Sequence, residues 1–127
     1  MKSDPKECLY CQNNETLHNL MIEIAQLSVS RVFLFKEQTY RGRCLVAYKD
    51  HVNDLNELSD EDRNAFMADV TRVTRAMQKA FQPEKINYGA YSDKLSHLHF
   101  HLAPKYVDGP DSVSYTHLRA HETSAHL

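Results

Sequence analysis

Three histidines at alternate positions, His97, His99 and His101, stand in the run LSHLHFHL, with Leu98, Phe100 and Leu102 between and after them. On an extended strand successive side chains point to opposite faces, so the imidazoles share one face and the apolar residues the other. One face is expected to pack and the other to do chemistry. Strand residues two apart are separated by about 6.8 Å and those four apart by about 13 Å, so His97 and His101 cannot share one metal without a bend. The three rings must divide their roles. Neutral imidazole offers a nucleophile near pH 7, a proton carrier and a metal ligand.

A second landmark is the pair Cys8 and Cys11. A C-x-x-C pair fills two corners of a tetrahedral zinc site and needs two further ligands. Redox use of the motif would place it after a strand at the start of a helix, whereas here it precedes every element expected from the pattern. A catalytic metal site built on the histidines would call for a spacing such as H-E-x-x-H, which does not occur.

The elements that must position these groups can be read from periodicity. Residues 1–7 are polar and expected to be loose, and residues 12–14 form a turn. Leu17, Leu20, Met21, Ile24 and Leu27 fit a helical stripe while Ile22 and Ile24 also alternate with polar residues, so a helical turn followed by a strand is favoured, with 28–30 as a hairpin connection. The run RVFLFKE over 31–37 is β-branched and aromatic, and RCLVAY over 43–48 is nearly all apolar; both read as strands, the second covered on both faces. Together they suggest an antiparallel meander, with Cys44 in the core and His51 where the chain leaves the sheet.

Ser59 followed by Asp60, Glu61 and Asp62 opens a helix as N-cap and acidic first turn. Phe66, Val70, Val73, Met77, Ala80 and Phe81 then give one buried stripe, which Pro83 ends. Residues 86–91 read as a strand with Gly89 at a bend or close approach, 92–94 as a tight connection, and Ala103–Pro104 as the stop of the histidine strand.

Lysine and arginine number 15 against 17 aspartates and glutamates, a net charge of −2, which argues against general nucleic-acid binding. No run of eighteen apolar residues and no apolar leader core is present, so a cytoplasmic chain without a membrane segment is expected. Three cysteines make no even disulfide framework. From Val113 to Thr123 the chain reads VSYTHLRAHET, which resembles the translation of a transposase-type sequencing-library adapter. Residues 112–127 are accordingly read as a non-native tail and set apart from the domain at 1–111, whose natural C-terminus is expected to be missing.

The motif H-φ-H-φ-H-φ-φ over His97–Ala103 resembles the signature of the histidine triad (HIT) superfamily of nucleotide hydrolases and transferases. The N-terminal C-x-x-C, the strand GRCLVAYKDH over 42–51, the helix entry ELSDE over 57–61 and Asn87-x-Gly89 match in order. The resemblance implies an α+β fold: an antiparallel sheet of about five strands, one long helix and one or two short ones, usually paired as a homodimer. It also implies that His99 attacks the α-phosphorus of a nucleoside phosphoanhydride or phosphoramidate, forming a nucleotidyl-histidine that water or another acceptor resolves. His101 would lie near the phosphate oxygens and leaving group, where an imidazolium could stabilise negative charge or donate a proton. Asn87 would contact ribose or phosphate. A structural zinc would be held by Cys8, Cys11, His51 and His97. The competing reading is a zinc-stabilised nucleotide-binding or regulatory module with little turnover.

The chain departs from the family pattern twice. Ser92–Asp93 stand where many relatives have Gly-Gln, placing an acid that would repel phosphate unless paired or turned away, and Arg43 stands where many have histidine.

Overall fold

In the computed structural model, residues 4–91 and 96–109 are described; the expectations for Ser92, Asp93 and the tail lie outside them. Strands β1 (Met21–Gln26), β2 (Ser30–Phe35), β3 (Cys44–Tyr48), β4 (Lys85–Gly89) and β5 (His99–Lys105) form one antiparallel sheet in the order β1-β2-β3-β5-β4. The first three make the expected meander. β5 then inserts between β3 and β4, which sets the histidine strand beside the central strand. All five β3 residues are buried, as their continuous apolar run requires.

Helices α1 (Leu9–Gln12) and α2 (Glu15–Leu20) precede the sheet, and α3 (Asp60–Phe81) links β3 to β4. The Ser59 hydroxyl accepts from the Asp62 N–H at 3.1 Å, a cap that contributes about 1 kcal/mol. Phe66, Val70, Val73 and Met77 on α3 pack with Val32, Val46, Tyr48 and Leu102 from the sheet and with Leu98 just before β5. The same stripe contains an acid. Asp69 is fully buried and accepts from the Ser28 hydroxyl, the Val29 N–H and the Ser30 hydroxyl at 2.7–2.9 Å, locking the β1–β2 connection to the helix.

On the opposite face Cys8, Tyr10, Leu17, Met21, Phe33, Leu45 and Ala47 form a second core. The face of the histidines therefore also packs, under the N-terminal helices.

Four expectations are corrected. Pro5–Glu7 is not loose but a 3-10 turn whose cap, Asp4, accepts from the Lys6 N–H at 2.9 Å. Ala80 is exposed, because the inward position of that turn goes to Phe81. β5 does not stop at Pro104 but runs to Lys105. β3 begins at Cys44, opposite Leu102, so beyond that point β5 has only β4 beside it, and a proline is tolerated where no ladder bond is needed. At its other end the strand begins at His99, and His97 occupies a bend before it.

Candidate active site and metal centre

The bend gives the histidines different surroundings. The Leu98 N–H donates to Val52 O at 2.8 Å and Leu98 O accepts from the Tyr48 N–H at 3.0 Å, which pins the chain next to His51. His97 is 2% exposed and its Nε2–H donates to Tyr48 O at 2.7 Å. That bond fixes the tautomer and leaves a lone pair on Nδ1. Cys8 Sγ lies 3.2 Å and Cys11 Sγ 3.5 Å from this nitrogen, and Cys11 Sγ lies 3.4 Å from His51 Nδ1.

One ligand atom from each of Cys8, Cys11, His51 and His97 falls within 4.8 Å of the others, a group that could hold a metal ion. Bonds of about 2.3 Å to sulfur and 2.0–2.1 Å to nitrogen at tetrahedral angles put sulfur and nitrogen about 3.6 Å apart, close to the distances found. The local fold explains the cysteine spacing. Cys8 is the N-cap of α1, with the Cys11 N–H 3.5 Å from its sulfur, and Asn13 ends the turn at φ 48°. Burial and then the Cys8 sulfur push the Cys11 thiol up to about 11; a bound cation would act in the opposite direction.

His99 is 6% exposed, and its Nδ1–H donates to the backbone carbonyl of His97 at 2.7 Å. Its proton is thereby placed on Nδ1 and its free lone pair on Nε2. Burial holds the His99 pKa below the usual histidine value against the opposing pull of that bond. The Tyr10 ring packs against both His97 and His99, with centroids 5.2 and 5.4 Å away.

His101 is half-buried, with its ring centroid 5.1 Å from that of His99 and 6.5 Å from Phe35. Arg43 Nη2 donates to His101 Nδ1 at 3.3 Å. Burial, His99 and Arg43 together lower the His101 pKa to about 4, so near pH 7 the ring is neutral, whereas the family resemblance pointed to an imidazolium there. Across the sheet, Gly89 on β4 pairs with His101 and Asn87 with Ala103, so Asn87 is exposed on the histidine face two positions along from His101.

All four expected metal ligands thus converge, and His99, His101 and Asn87 share the adjoining face. Sequence reasoning did not anticipate the Tyr10 ring wall or the Arg43 contact. Tyr10 had a signal in being the aromatic between two cysteines, and Arg43 in replacing the family's histidine.

A protein-family model described as HIT domain matches residues 14–108. The chain is 32% identical over 89 residues to adenosine 5'-monophosphoramidase hnt1 of Schizosaccharomyces pombe, covering 66% of this chain and 64% of that protein. It is 29% identical over 92 residues to Protein hit of Bacillus subtilis, covering 67% and 63%. The chain therefore spans just under two thirds of the length of these relatives. Its fold matches the crystal structure of a histidine triad protein from Sinorhizobium meliloti at a TM-score of 0.72 and 22% identity, over 80% of this chain and 75% of that one. With the ordered motifs, the five-stranded sheet and a family match over most of its length, the chain belongs to the HIT domain family.

Proposed function

We propose that the chain is a nucleotide hydrolase or nucleotidyl transferase acting at the α-phosphorus of a nucleoside phosphoanhydride or phosphoramidate. The observation that carries this reading is the 2.7 Å bond from His99 Nδ1–H to His97 O, which leaves Nε2 as the nucleophilic atom. His99 attacks the α-phosphorus, the leaving group departs, and a nucleotidyl-histidine forms. Water or a second acceptor then cleaves the P–N bond and returns the neutral ring. His101 and Asn87, on the same face, contact phosphate oxygens or ribose. The curated relative named as an adenosine 5'-monophosphoramidase supports a nucleotide substrate.

Cys8, Cys11, His51 and His97 are the ligands of a structural zinc in this reading. Two sulfurs and two imidazoles suit a closed tetrahedral site, in which the ion fixes the fold. His97 then offers its ring to the metal and its carbonyl to His99. The chain functions in a reducing cytoplasm, where the cysteines stay free, and pairs as a homodimer.

Intact-mass spectrometry during incubation with adenosine 5'-phosphoramidate and with diadenosine tetraphosphate tests the reading. A nucleotidyl adduct or AMP release is expected, and His99→Ala is expected to lower turnover by on the order of 10⁴-fold. Nucleotide binding without adduct or turnover would favour the regulatory module.

A further inference from the structure

Two arginines approach the histidine run, and they are held differently. Arg31 donates to Tyr10 O at 2.8 Å and Asn13 Oδ1 at 3.1 Å, and it pairs with Glu23 at 3.0 Å. Its charge is offset, and it sits behind the backbone of Tyr10. Arg43 stands at the other end. Its guanidinium lies 4.4 Å over the Phe35 ring and donates to His101. The acid beside it, Glu37, is exposed and holds Oε2 3.9 Å from Arg43, while its Oε1 accepts from the Thr39 N–H and hydroxyl. Arg43 thus keeps an ordered position with a charge that is only weakly compensated.

That position is built in by the preceding turn. Gly42 has φ +88°, and a Cβ there would lie 2.7 Å from the Phe81 ring. The Arg43 N–H donates to Tyr40 O at 3.0 Å, closing the turn.

The chemistry of the leaving group separates two substrate classes. An amine leaving a phosphoramidate must take up a proton, so it needs an acid. A phosphate leaving an anhydride departs as an oxyanion and needs fixed positive charge. A guanidinium does not give up its proton but binds phosphate with two parallel hydrogen bonds. By donating to His101 Nδ1, Arg43 also directs the ring's proton to Nε2 and disfavours an imidazolium.

We propose that Arg43 is the catalytic cation that receives the departing phosphate, making this site selective for nucleoside polyphosphates over nucleoside phosphoramidates. The proposal rests on His99 being the nucleophile. The Nε2 lone pair forms the bond to the α-phosphorus; the bridging P–O bond breaks, and its electron pair leaves on the phosphate oxygen facing Arg43. Water oxygen then attacks the α-phosphorus, the P–N pair returns to Nε2, and the water proton passes to solvent.

The test compares kcat and KM of the full chain on diadenosine tetraphosphate and adenosine 5'-phosphoramidate between pH 5 and 9, for wild type, R43Q, R43K and R43H. Circular dichroism checks folding. Wild type is expected to favour the anhydride. R43Q should lower kcat on the anhydride by about a hundredfold and on the phosphoramidate by less than tenfold, with partial rescue in R43K. R43H exchanges a fixed cation for a titratable one, beside His99, His101 and Glu37. It should shift preference toward the phosphoramidate, with a rate that falls as pH rises through the imidazole range. Equal losses on both substrates in folded R43Q, or a wild-type preference for the phosphoramidate, would overturn the assignment of Arg43 alone. No His99 adduct from either substrate would overturn the nucleophile, and Arg43 with it.

Discussion

His97 and His101 stand four residues apart in one run, yet they differ in almost every physical respect. Both ring nitrogens of His97 are engaged, one by Tyr48 O and one by the two sulfurs, and the ring is buried. His101 is half-buried, and Arg43 holds one of its nitrogens. Identical side chains have acquired different chemistry because the backbone bends at one and runs extended at the other. One end of the run is suited to holding the fold, and the other to meeting a substrate.

The comparison can be broken most directly at the His97 end. If it is structural, Cys8→Ser or a strong chelator should destabilise the chain by about 4 kcal/mol or more, the linkage expected when free metal exceeds Kd a thousandfold. Thermal circular dichroism would read a fall in Tm of more than about 10 °C. An unchanged Tm would make that end dispensable.

A smaller effect sharpens the contrast by destabilising the chain away from either end. Asp69→Asn removes a buried carboxylate from three donors on the far face of the sheet. It is expected to cost about 1–3 kcal/mol in urea denaturation while leaving turnover per folded molecule near wild type. A loss of turnover at full folding would mean that the two faces are coupled.

A further effect is acid sensitivity. His101 falls from its ordinary 6.5 to about 4 on folding, so below pH 6.5 the unfolded chain binds the proton first. Stability is therefore fully present above that value and declines as pH falls toward 4. Asp69 adds in the same direction: burial raises its pKa, but Ser30, Val29 and Ser28 outweigh that and hold it below the usual carboxylate value. Its contribution is present above the ordinary carboxylate range and is lost as pH falls through the lowered pKa. Stability that is flat from pH 7 to 4 would remove the His101 contribution, and no further loss on acidification below the ordinary carboxylate range would remove that of Asp69.

Much of the fold was legible because alternation and helical spacing are local properties. The meander and the long helix follow from them and the Ser59 cap from its residue type, whereas the five-stranded sheet was implied by the family resemblance. Pro104 misled because its tolerance depends on where the neighbouring strand begins. Asp69 was passed over in the Phe66–Met77 stripe, because the partners that make its burial possible lie on another element. In the candidate site, Cys8 and Cys11 could be named from their C-x-x-C spacing, whereas His51 and His97 joined them only through the resemblance to the family. The carbonyl that orients His99 could not be named, since backbone contacts carry no residue signature.

The Cys/His cluster joins Cys8 to His97, residues 89 positions apart. During synthesis the first partner emerges almost at once and the second only after nearly the whole domain has left the ribosome. The sulfurs must therefore wait for His97, and neither the cluster nor the bond from His99 to the His97 carbonyl can close until the histidine run has followed them out.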